Sequence, residues 1–208
     1  MKHLDKNEFE NLFYYDKTSP SGLKWNTTIY SGGVNERCMA YPGKIAGSIS
    51  RRKDGSVRCW TVSKTDIEGK RSSYQVHRVI ACLQGLAVNA GIVDHIDGNT
   101  LNNNIKNIRI VTHVLNSRNC KVRNNSPYGV QGICFHTNKV GNQYFKSKVR
   151  SLIGDEMNKY FSIDKLGLMV AFRDAVKFRH SAIINLNENG AGYTDRHSGL
   201  SQFKIIKE

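Results

Sequence analysis

The sequence predicts an α+β protein, and three observations carry that prediction. Short alternating runs punctuated by Asp-Gly and Glu-Gly dipeptides fill roughly the first seventy residues. A strand, a turn, a strand and a helix are then compressed into about thirty residues, too few for a core of their own. Finally, three strand candidates precede one long helical pattern. With 208 residues of which 39% are hydrophobic, several small cores suit the chain better than one large one.

Taken in order, the first strands are expected at Lys44–Ser50, Val57–Ser63 and Ser72–Val76, separated by Lys53-Asp54-Gly55-Ser56 and Ile67-Glu68-Gly69-Lys70. Val76–Gln84 reads as a short amphipathic helix closed by Gly85. An apolar run from Ala90 leads into Val93-Asp94-His95-Ile96-Asp97-Gly98-Asn99. After the polar stretch Thr100–Lys106 comes a brief strand at Ile108–Val111, and a helix begins at Thr112, a good N-cap residue. Beyond Ser126, strands are expected at Tyr128–His136, Gln143–Arg150 and Met157–Ile163. The helix Asp164–Ile184 follows, with Leu168, Phe172, Ala175, Val176 and Phe178 on its apolar side. Period-two alternation turns Phe145, Ser147 and Val149 toward that helix and leaves Tyr144, Lys146, Lys148 and Arg150 on the open face. The residues after Asn189-Gly190 carry little signal.

Charge narrows the function. Lys and Arg number 31 against 17 Asp and Glu, a net charge of +14. Between Gly98 and Gly154 there is no acidic residue at all. A surplus so concentrated suits a surface laid along a phosphate backbone, and an ordinary solvated face would mix signs. No stretch approaches the ~18–20 apolar residues of a membrane span. Met1–Tyr15 contains Asp5, Glu8 and Glu10 and no apolar core, so no cleaved secretory signal is expected and the expected location is the cytoplasm. Five cysteines, odd in number, widely spaced and without a CxxC pair, point to reduced, mostly buried thiols rather than disulfides or structural zinc.

The chemistry sits in Val93-Asp94-His95-x-Asp97-Gly98-Asn99-x-x-Asn102-Asn103-x-x-x-Asn107-x-Arg109, with Asn116 downstream. This block resembles the HNH (ββα-metal) nuclease motif, nearest to the nicking homing endonucleases of phage and intron origin. Phe13-Tyr14-Tyr15-Asp16, Gly22-Leu23-Lys24-Trp25 and Val76-His77-Arg78-Val79-Ile80 resemble flanks common in that group, so the likeness spans about residues 12–120. The resemblance implies His95 as general base, Asp94 and Asn116 as the protein ligands of a single Mg²⁺ (or Mn²⁺), and Asn107 as a structural residue that shapes the loop. The spacings 107 − 95 = 12 and 116 − 94 = 22 agree with that subgroup. His113 is the alternative ligand, and His77 is read as structural.

Physical chemistry supports the same roles. The anionic oxygens of a phosphodiester repel a nucleophile and its alkoxide leaves poorly, and one hard cation held by oxygen ligands answers both problems. An imidazole titrates near neutrality and can take a proton from water, worth about 10²–10⁴ in rate. Alternation puts Asp94 and His95 on opposite sides of their strand, so a shared site must lie over the strand's end. The plainer reading makes Asp97-Gly98-Asn99 only a hairpin turn and the Asn cluster only a polar loop.

The segment after Ser126, with Tyr128-Gly129-Val130 and Ala171-Phe172-Arg173-Asp174-Ala175, resembles the DNA-binding domain of plant ethylene-response factors, although the tryptophan often found in its second strand is replaced by Phe145. The expected organisation is an N-terminal β-rich module (1–72), an HNH core (73–123), a three-stranded sheet packed on one helix (124–190) and a tail (191–208). Double-stranded DNA is the expected partner, with Arg118, Lys121, Arg123, Tyr144, Lys146, Lys148 and Arg150 as contacts and no obligate protein partner. The expected activity is phosphodiester hydrolysis to 5′-phosphate and 3′-hydroxyl ends. A non-catalytic DNA-binding regulator with a degenerate HNH core, and an RNA-directed protein, are the rivals.

Overall fold

The computed structural model of the chain describes residues 3–30, 38–65, 68–120 and 128–198. The architecture is α+β, with antiparallel sheets among the described residues, and the chain divides into two compact units, Met1–His113 and Val114–Glu208.

In the first unit, Asp5 accepts from Asn7 N at 3.0 Å and caps a short helix, α1 (Lys6–Glu10), which buries Phe9. The sequence reading had no helix here; five residues carry too little periodicity to register. Hairpins β1 (Phe13–Tyr15)/β2 (Leu23–Trp25) and β3 (Ile29–Tyr30)/β4 (Cys38–Ala40) follow. A three-stranded meander of β5 (Ser48–Arg51), β6 (Val57–Thr65) and β7 (Arg71–Gln75) comes next. Its first turn is built as Asp54-Gly55 foretells: Gly55 adopts φ +80° and Asp54 accepts from Ser56 N. Part of the second turn, Ile67, lies outside the described residues.

Helix α2 (Val76–Leu83) leaves β7 without a break and is buried along its whole length. Gly85 at φ +76° ends it: its N–H bonds Cys82 O while Leu86 N bonds Ala81 O, a Schellman cap that only a left-handed residue completes. Hairpin β8 (Ile92–His95)/β9 (Ile108–Val111) then adds Val93 and Ile108 to a core supplied by Leu4, Phe9, Phe13, Leu23, Val79 and Ile80. The short hairpin thus borrows its core from everything before it. The expected border at 72/73 is accordingly not a border between compact units, because α2 packs on both sides of it.

Thr112 is followed by α3 (His113–Asn119). In the second unit, β10 (Ile133–Thr137), β11 (Gln143–Arg150) and β12 (Glu156–Ser162) form one antiparallel sheet in that order. The expected single helix is two: α4 (Ile163–Leu166) and α5 (Leu168–Glu188), broken at Gly167, which adopts φ +76°. Ala171, Ala175 and Val176 pack on Val130, Ile133 and Phe145. Leu168, expected on the apolar side, is 56% exposed. The last residues are more than a tail: Ala191 and Tyr193 join Val149, Ile183 and Leu186 in a second small core, ahead of α6 (Asp195–Ser198). Two hydrogen bonds between Asn187 and Tyr193, each 2.8 Å, fold this segment back.

All five thiols are free; Cys59 and Cys82 are buried, whereas Cys38, Cys120 and Cys134 are exposed, against the expectation of mostly buried thiols. No described helix is long and apolar enough to cross a membrane.

Candidate active site

The loop between β8 and β9 is a web of Asx contacts. Asp97 accepts from Asn99 N, from the Asn107 amide and, through its other oxygen, from the Asn102 amide, all within 2.9 Å. Asn107 returns a bond from Asp97 N to its own Oδ1 and donates to Asn102 O. Gly98, at φ +65°, lets the chain turn back, and Asn104 caps the single 3₁₀ turn Ile105–Asn107. Burial favours the neutral acid at Asp97, but donors from Asn102, Asn99 and Asn107, with His95 nearby, outweigh it and hold the carboxyl below its ordinary range. Asn107 therefore closes the loop through three hydrogen bonds.

His95 ends β8 and is 5% exposed. Its Nε2 lies 3.1 Å from Asn103 Oδ1, and Asn103 Nδ2 donates to Ser21 O at 2.8 Å. The second bond sets the amide's orientation, so the atom facing the imidazole is an acceptor. Nε2 must then carry hydrogen, which makes Nδ1 the lone-pair nitrogen of the neutral ring. Asn103 and Ser21 are themselves buried. Neither was singled out from sequence; the doubled Asn102-Asn103 was the only local sign, and its partner lies 82 residues away.

His77 of α2 meets His95 edge to face, with ring centroids 4.7 Å apart. Burial first, then His95 and Arg78, push the His77 pKa down to about 3. A neutral His77 packs against His95 and places no charge beside it.

Asp94 lies on the other face of β8. Opposite it in the ladder, Arg109 donates Nε and Nη2 to Oδ2 at 3.1 and 3.0 Å. Arg109 was visible in the motif without a role; the antiparallel register supplies one. Asn116 is half-buried on α3 within the second unit, and His113 is exposed. Among the described residues no three His, Cys, Asp or Glu side chains are grouped to hold an ion. What the first unit offers a cation is the hard carboxylate of Asp94, whose charge Arg109 shares.

On the second unit's sheet, the open face carries Tyr144, Lys146, Lys148 and Arg150 as alternation requires, joined by His136 and Tyr160 across the ladder. It also carries Glu156, which pairs with both Lys148 and Arg150. Lys146 instead lies over the Tyr160 ring at 5.5 Å. Arg118, expected to contact DNA, is 4% exposed. Its Nη1 and Nη2 donate to Ala191 O and Ser151 O at 2.7 and 2.8 Å, and its Cζ lies over the Tyr193 ring, 4.7 Å from the centroid. A guanidinium so engaged anchors the C-terminal segment and is not presented to a duplex. Lys121 and Arg123 lie outside the described residues.

The HNH endonuclease family model matches residues 74–118, a stretch that begins before α2 and runs through the β8–β9 hairpin into α3. No curated protein and no solved structure matches the chain.

The unfolded chain binds a proton at His77 near pH 6.5 that the folded chain rejects until about pH 3. Stability from this residue is thus fully present above pH 6.5 and lost as pH falls toward 3. Lowering pH from 7 to 5 is expected to cost the first unit about 2 kcal/mol, measured by urea unfolding followed through Trp25 and Trp60, and His77→Gln should flatten that dependence. Asn103→Ala strands the Ser21 carbonyl and the His95 N–H together, so a loss of at least ~1–3 kcal/mol is expected in the same assay.

Proposed function

We propose that the protein is an HNH-type DNA endonuclease in which His95 is the general base for hydrolysis of one phosphodiester. The observation that carries this reading is that the HNH match falls on a hairpin whose buried histidine lies 3.1 Å from the oxygen of an oriented asparagine amide. An imidazole held through Nε2–H is fixed in position, which is the preorganisation a base requires. A water deprotonated by His95 attacks in line, and the scissile phosphate lies across the end of β8, where residues on both faces of the strand can reach it. The products are a 5′-phosphate and a 3′-hydroxyl.

Asp94 is the first metal ligand in this reading, and the Asn116 amide is paired with it on spacing. Both are hard oxygen donors, a set that suits one Mg²⁺ (or Mn²⁺) with much of its water retained and does not suit zinc. Such an ion, when bound, neutralises charge on the phosphate and its leaving oxygen. Arg109 holds the Asp94 carboxylate in position meanwhile. Asn103 and Asn107 position the base and the loop and do not react.

The sheet of the second unit is read as the surface that grips duplex DNA, in the manner of ethylene-response-factor domains, with Tyr144, Lys146, Lys148 and Arg150 on it. One active site per chain favours nicking a single strand, as in phage and intron homing enzymes. The competing reading, a DNA-binding regulator without chemistry, is favoured by one pair of observations: His95 is 5% exposed and Asp94 is already ion-paired.

Conversion of supercoiled plasmid to open circle decides between them. Nicking is expected with Mg²⁺ and not with EDTA, and His95→Ala should slow it by about two to four decades while duplex affinity holds. Plasmid left intact by the wild-type protein under both Mg²⁺ and Mn²⁺ would leave the regulator standing. On the sheet, Lys148 and Arg150 must share Glu156 with the duplex. Glu156→Gln is therefore expected to tighten duplex binding and steepen its salt dependence, and Lys146→Ala to weaken it, both measured by fluorescence anisotropy across 50–200 mM salt.

A further inference from the structure

The second unit contains a cavity of about 450 Å³ that the nuclease reading leaves unused. Arg118, Gln131, Gly132, Arg179, Tyr193 and His197 line it. Arg179 comes from the buried side of α5 and is 4% exposed. Its Nε and Nη1 have no hydrogen-bond partner among the described residues, and no carboxylate there pairs with it. Burial lowers its pKa only to about 10, so it is a cation at neutral pH.

A buried, charged guanidinium without a counter-ion is strongly unfavourable, and native proteins pair such groups. Its surroundings are built to hold it. Gly132 has φ +77°, and a Cβ there would lie 2.4 Å from Arg179 Nε, so only glycine leaves room for the side chain. Nearby, Arg118 keeps Nε unpartnered after giving its other nitrogens to carbonyls, while burial pushes the His197 pKa down to about 4, so that ring is neutral at pH 7. Two buried guanidinium groups thus line one cavity, among whose lining residues there is no acid.

We infer that this cavity is a phosphate site, with Arg179 as its ligand and the positive charge of the structurally engaged Arg118 guanidinium beside it. The group it takes is a tetrahedral oxyanion, which accepts from the Arg179 guanidinium and supplies the missing counter-charge. Two sources share that chemistry, a phosphate of the DNA backbone and free phosphate. The cavity reaches Lys148 and Arg150 at the end of β11, the strand whose outer face carries the basic row. The inference does not depend on the nuclease reading, since an anion site stands whether or not the chain cuts DNA.

Melting of the full chain in inorganic phosphate, against chloride at matched ionic strength, tests it. Phosphate is expected to raise Tm saturably in the wild-type protein. Arg179→Met is expected to melt at or above the wild type without phosphate, because it removes an unpaired buried charge, and to lose the phosphate response. Equal wild-type melting in phosphate and chloride, or an undiminished response in Arg179→Met, would overturn the assignment. If that variant does not fold, Arg179→Lys decides: saturation at about tenfold higher phosphate supports the site, and saturation at the wild-type concentration overturns it. Duplex binding separates the sources. A log–log salt slope shallower by about 0.9 in Arg179→Met identifies a backbone phosphate, whereas an unchanged slope with the phosphate response lost identifies free phosphate.

Discussion

One buried carboxamide organises the first unit's chemistry. Asn103 donates to the Ser21 carbonyl and accepts from His95, so the N-terminal hairpin and the β8 strand end are held by two atoms of a single side chain. All three residues are removed from water, where an unmade hydrogen bond is costly. The arrangement is consequently all-or-none: the histidine has its tautomer only while the N-terminal module is folded against it. This explains why so short a hairpin stands behind a hundred residues of scaffold. Val93 and Ile108 contribute to a core that Phe9, Phe13, Leu23 and α2 had to assemble first.

The second constraint is where positive charge goes. An excess of +14 suggests a uniformly basic, phosphate-seeking surface. The fold spends it in three different ways. Lys146 stays on the open sheet face over an aromatic ring, Lys148 and Arg150 share one glutamate, and Arg118 and Arg179 are buried. Arg118 is matched by backbone carbonyls and so works as a structural tie. Arg179 Nε and Nη1 are not matched among the described residues.

Much of the fold was legible in the residues themselves. The Gln143–Arg150 strand and the Ile108–Val111 strand follow from alternation and flanking turns, and Gly85 marks the end of α2 through the one conformation it alone tolerates well. The reading failed where a few residues acted against a longer pattern. Gly167 interrupts a run that is otherwise helical on both sides. Leu168, apolar and in phase, is exposed because the break at Gly167 begins α5 with that residue. Residues 191–198 look featureless because their order comes from Asn187, Arg118 and Arg150, not from neighbours in sequence.

The candidate site divides along the same line. Sequence alone determined the residue types and their spacing: a carboxylate next to an imidazole, an asparagine-rich loop, and Asn107 at the distance that closes it. Those features are local, and Asx chemistry acts over two to ten residues. Only the tertiary structure decided which nitrogen of His95 bears the proton, that Arg109 stands on Asp94, and that Arg118 faces inward. Each of those outcomes depends on a partner brought from another strand or from the far end of the chain. A one-dimensional pattern specifies what a side chain is able to bond, whereas burial and register select which bond it makes.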